Sequence, residues 1–310
     1  MVIIICGPTA SGKTQVAHDL AKLVDGEIVC CDSMQIYKSI EIVTDSPAIK
    51  LTSEIPYHLY NTLELTDTIS LAKYANFAKT KIKDIISRSK IPIIVGGTGL
   101  YINALVRGYN EIPTIPDCIK STVNDLHLKI GQKEFFKHLS EMDPLVLAQI
   151  KPNDVQRSIR AYEVIQHTGS SIFQLHANTK ILNPLEDIAH KIFYLDPDRD
   201  LLYNNCNKRL IDMIQNGAVE EIRNNIMPIS DMLHKPITRA IAIAEILSYL
   251  RNEISLDEAQ ILTQTRTRQY AKRQMTWFKN QLHNKIKMQY SNMPEFSLIA
   301  QKIYDQIHCS

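Results

Sequence analysis

The sequence predicts an α/β protein of the phosphate-loop (P-loop) type, with a parallel sheet core, a helical insertion and a helical C-terminal part. Three short apolar runs, at 2–6, 27–31 and 91–95, have the unbroken hydrophobicity of strands that are buried on both faces of a sheet. Segments with helical spacing, at 12–23 and 70–89, separate these runs. Strands that alternate with helices are typical of a parallel sheet.

The composition is that of a folded globular protein. The 310 residues are 45% hydrophobic and 22% charged, which excludes wholesale disorder and is enough for one large domain or two smaller ones. The formal net charge of +2 neither indicates nor excludes a nucleic-acid partner.

The sequence carries no signal for a membrane or for disulfide bonds. No apolar run is long enough to cross a membrane, and the apolar start is too short for a signal peptide. The six cysteines show neither a C-x-x-C pair nor a zinc-site spacing, so we expect reduced thiols. We therefore expect a cytoplasmic protein without a membrane partner. We also expect a monomer.

The pattern of the chain changes about a third of the way along it. Residues 119–173 look mostly helical, and a strand-like run returns at 190–195. Helical patterns follow to the end of the chain, at 199–216, 218–226, 236–250 and 256–282. We predict a core of residues 1–111 and 181–310, interrupted by a helical insertion at 112–180.

A phosphate-binding motif follows the first predicted strand and opens the first predicted helix. It matches G-x-x-x-x-G-K-[ST] in full. Its residues are Gly7, Pro8, Thr9, Ala10, Ser11, Gly12, Lys13 and Thr14. Main-chain N–H groups of the loop and the helix N-terminus would attract phosphate, Lys13 would add a charge, and the Thr14 hydroxyl would suit Mg²⁺. The motif predicts binding of a nucleotide such as ATP, or of another polyphosphate.

The strand at 91–95 ends in a glycine-rich turn, Gly96-Gly97-Thr98-Gly99. A nucleoside triphosphatase normally carries an aspartate for its metal at the end of such a strand. Its absence from this position argues against a motor or switch ATPase. The glycines would let the backbone approach a ligand closely, with Thr98 as a hydrogen-bonding partner, unless they form a simple strand-to-helix turn.

Asp32 follows the second predicted strand, at the edge of the sheet where ligands of open α/β folds lie. A carboxylate at this position could act as a general base or contact Mg²⁺, and it could also cap a short helix. Ser33 and Gln35, beside it, could hydrogen-bond a base or a sugar.

Taken together, three motifs of the chain resemble the tRNA dimethylallyltransferase (isopentenyltransferase) family. They are the phosphate loop, Asp-Ser-Met-Gln-Ile-Tyr at 32–37 and Gly-Gly-Thr-Gly-Leu-Tyr at 96–101. Three further matches follow in order, and the resemblance covers about residues 2–280. They are Asn-Asp-Val-Gln-Arg-Ser-Ile-Arg-Ala at 153–161, a helix with Arg209, and Ala-Lys-Arg-Gln-Met-Thr-Trp-Phe at 271–278.

Two segments depart from the family pattern. Where the family has I-G-T-A-K-P, this chain has Val43 in place of the glycine and Ser46 in place of the lysine. Where the family has G-Y-x-E, this chain has Ala242 and Ile243 in place of the first two residues. Neither departure removes a residue with an assigned role, so both bear on loop shape and rate.

The resemblance implies transfer of a dimethylallyl group from dimethylallyl diphosphate to N6 of the adenosine at position 37, in tRNAs that read codons beginning with U. The phosphate loop would hold the diphosphate, and Mg²⁺, Lys13 and Thr14 would stabilise the leaving pyrophosphate. Asp32 would accept the proton of the exocyclic amine, with Thr98 near the reacting centre.

The resemblance also implies contacts with the tRNA anticodon stem-loop, whose adenosine must leave its stack to reach a deep cleft. The candidate residues are Asp32, Ser33, Met34, Gln35, Thr98, Lys120, Gln156, Arg157, Ser158, Ile159, Arg160, Lys272 and Arg273. The insertion would supply those between Lys120 and Arg160. Taken alone, its arginines would fit a solvated helix face.

The C-terminal part supports an RNA partner independently. Residues 259–294 contain seven Lys and Arg residues and no Asp or Glu, which would suit salt-dependent contacts with phosphates. Trp277 and Phe278 could stack on bases, although burial against the core is the more common role of such residues.

Two other functions are compatible with part of this pattern. A small-molecule P-loop kinase, acting on a nucleotide or metabolite, could use the insertion as a lid that carries Arg157 and Arg160. Such a kinase has no need of the basic, acid-free segment. A non-enzymatic RNA-binding protein would not need both Lys13 and Asp32.

Overall fold

A computed structural model describes residues 1–229, 236–292 and 295–308. The strands are β1 Val2–Cys6, β2 Gly26–Cys30, β3 Tyr57–His58, β4 Ile91–Gly96, β5 Tyr109–Asn110, β6 Ile181–Leu182, β7 His190–Pro197 and β8 Lys285–Tyr290. The helices are α1 Lys13–Val24, α2 Glu41–Thr44, α3 Ile49–Glu54, α4 Leu71–Ser87, α5 Gly99–Arg107, α6 Asp117–Met142, α7 Val146–Gln149, α8 Val155–Thr168, α9 Ile172–Asn178, α10 Arg199–Gln215, α11 Ala218–Asn225, α12 Ile243–Leu250, α13 Leu256–Gln281 and α14 Phe296–His308. Short 3₁₀ turns occupy Met227–Ile229 and Pro236–Arg239. No described helix is both long and apolar enough to span a membrane.

The core is a six-stranded parallel sheet in the order β3-β2-β4-β1-β7-β8. The predicted α/β class is therefore confirmed, and the three apolar runs of the sequence are β1, β2 and β4. Every residue of β1 and β2 is buried, because helices cover both faces of the central strands. One face packs on α1 and α14, through residues such as Leu20 and Ile303. On the other face Tyr74 of α4 hydrogen-bonds the Cys30 carbonyl, and Phe278 of α13 packs on Tyr194.

The chain divides into two compact units. The first contains the residues up to Arg107 and those from Pro184 onward, and the second is Gly108–Asn183. The second unit has its own apolar cluster, built around Phe136, Leu139 and Val146. It begins four residues before the predicted insertion and ends three residues after it.

The sequence suggested helices to the end of the chain. The structure differs, because β8 adds a strand to the sheet edge. Lys285, Lys287 and Gln289 alternate with apolar residues, a pattern typical of a half-exposed edge strand rather than of a buried one. The predicted helix at 236–250 was also too long. It begins only at Ile243, because Ala242 has a left-handed backbone, with φ of 80°.

The cysteines within the described residues are free thiols. They are Cys6, Cys30, Cys31, Cys118 and Cys206, and the prediction for Cys309 lies outside the described residues.

Candidate active site

The phosphate loop connects β1 to α1 at the edge of the sheet where the parallel strands end. Gly12 has φ of 76° and directly precedes α1, and the Ser11 hydroxyl donates to the Pro8 carbonyl at 2.8 Å. Gly7 lies so close to β7 that a Cβ would be 2.9 Å from the Leu195 carbonyl oxygen. The loop conformation therefore depends on residues with little or no side chain at these points.

Lys13 lies at the first residue of α1 and folds back over the loop, where its ammonium group donates to the Pro8 carbonyl. Burial lowers the pKa of Lys13 to about 8, and the negative charge of Asp32 partly opposes this shift. An anion bound in the loop would favour the charged form of Lys13 further.

Asp32 follows β2, and its Oδ1 accepts the main-chain N–H groups of Met34, at 2.9 Å, and Gln35, at 3.5 Å. The residues after Asp32 form turns rather than a helix, so this carboxylate caps a turn and not the short helix considered from the sequence. Because Oδ1 is held by the backbone, the direction of the carboxylate is fixed.

Thr98, in the turn after β4, joins two strand ends. Its Oγ1 accepts the Ser33 N–H at 3.0 Å, which links it to the turn that carries Asp32. The glycines before it make close contacts within the protein, and Gly96 also lines the cavity at the phosphate loop, where the sequence predicted a close approach to a ligand. A Cβ on Gly96 would lie 1.9 Å from the Cys31 carbonyl oxygen, and one on Gly97 would lie 2.4 Å from the Gln274 amide nitrogen.

Gln274 is a site residue that the sequence did not single out for a role. Its side chain is 6% exposed and comes from α13. The Oε1 atom accepts the Thr9 N–H at 2.8 Å, and Nε2 donates to the Gly97 carbonyl at 2.9 Å. One amide therefore joins the phosphate loop to the turn that carries Thr98. The only sequence signal for it was its place in the block at 271–278 that resembles the family.

Arg209, from α10, is a second cation at the loop that had no assigned role. Its guanidinium donates to the Thr9 hydroxyl at 2.6 Å and to Oδ2 of Asp45 at 3.0 Å. Asp45 lies in the segment that departs from the family pattern. The arrangement brings a guanidinium and the Lys13 ammonium to the same cavity.

Two cavities meet at this edge of the sheet. The first, of about 360 Å³, is polar and is lined by the phosphate loop from Thr9 to Thr14, by Asp32 and by Arg209. The second, of about 310 Å³, shares four residues with the first, Thr9, Asp32, Thr44 and Arg209. The rest of its wall is largely apolar and includes Met34, Val43, Leu210, Met213, Ile241 and Ala242. A polyphosphate with an apolar group attached would match this pair of cavities.

The first cavity offers oxygen ligands that fit Mg²⁺. The Thr14 hydroxyl and the carboxylates of Asp32 and Asp45 line it. Among the described residues no cluster of three or more His, Cys, Asp and Glu side chains could form a metal cage. Mg²⁺ typically keeps several waters and takes phosphate oxygens as further ligands, so a sparse oxygen set suits it.

Other predicted RNA contacts of the first unit differ in their availability. The Gln35 side chain donates to the carbonyls of Thr44, at 3.1 Å, and Asp45, at 2.7 Å, so it supports the adjacent loop. Lys272 and Arg273 are exposed on α13, and the Arg273 guanidinium lies 5.8 Å from the centre of the Tyr270 ring.

The remaining predicted RNA contacts lie in the second unit. Gln156, Arg157 and Arg160 are on α8, with Gln156 and Arg157 exposed and Arg160 beside Glu163, at 3.3 Å. Lys120 on α6 pairs with Asp117 at 2.8 Å.

Two neighbours of these residues on α8 are less accessible. Ser158 is 0% exposed, and its hydroxyl donates to the Asp154 carbonyl at 2.7 Å. Ser158 therefore presents no surface to RNA and is removed from the predicted contacts. Ile159 is partly exposed.

The basic segment is only partly free. Arg266 pairs with the buried Glu245, and Arg268 donates to Asn207 at 2.7 Å. Phe278 is fully buried, and Trp277 is partly buried against Gly99. Burial, the more common role of such residues, is thus the role of Phe278.

Comparison with known proteins shows one family throughout. The model of the IPP transferase family matches residues 35–281. The chain is 47% identical to a tRNA dimethylallyltransferase of Rickettsia canadensis, over 97% of this chain and 92% of the relative. It is 48% identical to the same enzyme of Rickettsia conorii, over 96% and 81%.

Solved structures agree with the sequence relatives. The tRNA isopentenylpyrophosphate transferase of Bacillus halodurans has a TM-score of 0.70 at 29% identity, covering 99% of this chain and 95% of its own. A eukaryotic dimethylallyltransferase, in a structure described as acting on tRNA, has a TM-score of 0.82 at 26% identity, covering 98% and 77%.

Proposed function

This chain belongs to the IPP transferase family, and on that premise we propose that it is a prenyl-transferring enzyme that modifies tRNA. It transfers a dimethylallyl group from dimethylallyl diphosphate to N6 of the adenosine at position 37, in tRNAs that read codons beginning with U. The observation that carries the proposal is the pair of adjoining cavities, one polar at the phosphate loop and one apolar, with Asp32 in the wall of both.

The polar cavity would bind the diphosphate of the donor. Lys13 and Arg209 provide positive charge, and main-chain N–H groups at the start of α1 provide hydrogen bonds. These charges stabilise the diphosphate most strongly when it leaves with the electron pair of the breaking C–O bond. The Thr14 hydroxyl would hold Mg²⁺ at this point, and the ion would add positive charge beside the leaving diphosphate.

The acceptor amine is a weak nucleophile, because its lone pair is delocalised into the adenine ring. As the N6–C bond forms, a proton must leave the nitrogen, and the Asp32 carboxylate would accept it. The hydrogen bonds that Oδ1 accepts from the backbone hold the carboxylate in place for this step. Thr98 fixes the same turn through Ser33, so it is a positioning residue as well as a candidate contact.

The adenosine has to leave its base stack to reach Asp32, which is the general solution for enzymes that modify a base. Ser33 and Met34 lie beside Asp32 in the wall of the apolar cavity and are candidate contacts for the extruded base. Lys272 and Arg273 of the first unit, and Lys120, Gln156, Arg157, Ile159 and Arg160 of the second, would contact the anticodon stem-loop. We also propose that the enzyme acts as a monomer in the cytoplasm.

The direct test is to incubate the purified protein with dimethylallyl diphosphate, Mg²⁺ and unmodified tRNA, and to analyse the nucleosides by mass spectrometry. We expect N6-dimethylallyladenosine, and none from a tRNA with guanosine at position 37.

Asp32→Asn should abolish transfer while tRNA still binds. ATP should compete with the donor if the loop also accepts a nucleotide, as its motif suggests. ATP-dependent phosphorylation of a small acceptor without prenyl transfer would contradict the proposal in favour of a kinase.

A further inference from the structure

A second strongly basic concavity lies in the first unit, apart from the phosphate loop. It has a volume of about 380 Å³ and lies between α10, α13, β7 and β8. We call it the basic pocket and define it by five cationic side chains. They are Arg199, Lys272, Lys279, Lys285 and Lys287. None of them lines the polar cavity at the phosphate loop.

Regular secondary structure explains why these side chains converge. Lys285 and Lys287 are two residues apart on β8, so both point to the same face of the sheet, while Met288 is buried on the opposite face. Lys272 and Lys279 are seven residues apart on α13, which corresponds to two helical turns and therefore to one helix face. A row of cations on a helix thus faces a row on an edge strand.

The positive charge of the basic pocket is not neutralised within the described part of the protein. No carboxylate there lies within 4.0 Å of any of the five cationic groups. Asp196 is the one acidic residue in the lining, and Gln289 donates to it at 3.4 Å. Burial and the charge of Lys287 lower the pKa of Lys285. Bringing like charges together is unfavourable, and an anionic ligand would offset the repulsion between these cations.

Two of the cations are held in place rather than free in solvent. The Arg199 Nε donates to the Tyr203 hydroxyl at 3.0 Å, and its guanidinium lies 5.1 Å from the centre of the Tyr203 ring. The Lys285 ammonium donates to the carbonyls of Leu282 and Lys279. Cations fixed in this way lose less conformational freedom when they bind an anion.

We propose that the basic pocket binds successive phosphates of the tRNA backbone, as an RNA contact separate from the site that holds the adenosine. Lys272 and Lys279 are about 10 Å apart along the helix axis, which suits a ligand with several phosphates in a row better than a single small anion. Four of the five cations are exposed, so an extended chain can reach them. Such contacts fix position and add affinity, but they do not read sequence.

Because this inference rests on the proposed function, the test separates binding from catalysis. It compares Lys279→Gln/Lys287→Gln with Lys83→Gln/Lys302→Gln. The control pair removes the same charge at exposed lysines on α4 and α14, outside the basic pocket. The affinity for unmodified tRNA is measured without donor over a series of KCl concentrations. Transfer is measured separately, with saturating tRNA.

The pocket variant should weaken tRNA binding at low salt and reduce the slope of log K against log[KCl] by about 1.4–1.8, the effect of losing two phosphate contacts. The control should keep the wild-type slope. The KM for dimethylallyl diphosphate and the kcat at saturating tRNA should stay at wild-type values in both. An unchanged slope, or an equal change in the control, would overturn the proposal, whereas absence of transfer by the wild type would overturn only the proposed function.

A free polyphosphate carries the same kind of anionic groups as the RNA backbone and is the alternative ligand for the basic pocket. Calorimetry with tripolyphosphate separates the two ligands, on a Lys13→Met protein whose phosphate loop lacks the lysine charge. Saturable binding that Lys279→Gln/Lys287→Gln removes, together with an unchanged tRNA slope, would assign the pocket to a free polyphosphate and refute the RNA contact. No saturable binding, with the reduced tRNA slope, would support it.

Discussion

At the scale of single residues, the site depends on charges whose state is set by their surroundings. Burial lowers the pKa of Lys13 to about 8, while the negative charge of Asp32 favours the charged form. A lysine with a lowered pKa binds an anion best in its protonated form, so ligand binding and proton uptake are linked. Sequence alone predicted these residues, because Lys13 belongs to a motif that connects a strand to a helix, and Asp32 and Thr98 lie within two residues of a strand end.

The first prediction concerns the pH dependence of donor binding. Below about pH 8 the Lys13 ammonium is already charged, so its contribution to affinity should be constant. Above that pH the free protein loses the charge, and affinity should fall by up to about tenfold per pH unit. The measurement is the Kd of a non-reactive dimethylallyl diphosphate analogue between about pH 7 and pH 9.5.

Lys13→Arg is the matched control, since an arginine side chain stays charged over this whole range. The ionisation of the analogue is the same in both titrations, so the ratio of the two Kd values isolates Lys13. Parallel pH profiles for the two proteins would show that Lys13 does not titrate in this range.

The second prediction concerns Ala242, whose φ of 80° is unfavourable for any residue with a Cβ. Left-handed backbone costs such a residue about 1–2 kcal/mol, and glycine avoids this cost. Ala242→Gly should raise the free energy of unfolding by about 1 kcal/mol, measured by urea denaturation. Ala244→Gly, at an exposed position of α12, should instead lower it by up to about 1 kcal/mol. Equal destabilisation by both changes would contradict the interpretation.

At the scale of elements, local patterns predicted the central strands and missed those at the edge. The predicted runs for β1, β2 and β4 differ from the observed bounds by at most one residue at each end. Burial on both faces produces an unbroken apolar run, which is a strong signal. β8 is buried on one face only. Its three polar residues interrupt the apolar pattern, so the sequence did not predict a strand there. Contacts between distant elements left no local signal either, since Gln274 and Thr9 are 265 residues apart.

The third prediction concerns Gln274, which holds the phosphate loop and the Thr98 turn together. Gln274→Leu keeps the bulk of the side chain but removes both hydrogen bonds, leaving the Thr9 N–H and the Gly97 carbonyl without this partner. Unsatisfied groups of this kind cost about 1–3 kcal/mol each, so kcat should fall roughly 10- to 100-fold. Single-turnover transfer is the measurement, with tRNA affinity expected to stay at the wild-type value.

Gln269→Leu makes the same change at an exposed position of the same helix and should leave kcat unaltered. If kcat is equally low in both variants, the loss comes from α13 as a whole and not from the two hydrogen bonds. A large loss of tRNA affinity in Gln274→Leu would likewise argue against a positioning role.

At the scale of the whole molecule, stability depends on buried ionic contacts as well as on the apolar core. Glu27, at the second residue of β2, is 3% exposed and is bound by Arg88 and by His58, at 2.7 Å. These contacts join β2 to β3 and to the residue that ends α4. Hydrogen bonds from Arg88 hold the pKa of Glu27 below its ordinary value, although burial opposes the shift.

The fourth prediction follows from the sign of this shift. The folded state binds the proton of Glu27 less readily than the unfolded state, so the contribution of this carboxylate to stability is complete above the ordinary pKa of 4.5. It is lost as the pH falls through the lower pKa of the folded protein. Glu27→Gln should therefore be clearly less stable than the wild type at pH 7, and the difference should shrink at acid pH. Urea denaturation at a series of pH values is the measurement.

Glu64→Gln is the control, because Glu64 and its partner Lys38 are exposed and such pairs contribute little. Its stability should stay close to that of the wild type at every pH. A stability difference for Glu27→Gln that is equal at neutral and acid pH would show that lost packing, and not lost charge, is the cause.

The order of the strands also governs events on the ribosome. β1 lies inside the sheet and has β7 as one of its two partners. β1 ends at Cys6, whereas β7 ends at Pro197, 191 residues later. At a synthesis rate of about 5–20 residues per second, that length takes roughly 10–40 s to translate. Until then one edge of β1, with its open N–H and C=O groups, has no native partner in the nascent chain. The second unit, which is translated in between, lengthens the period in which chaperones must protect the N-terminal half.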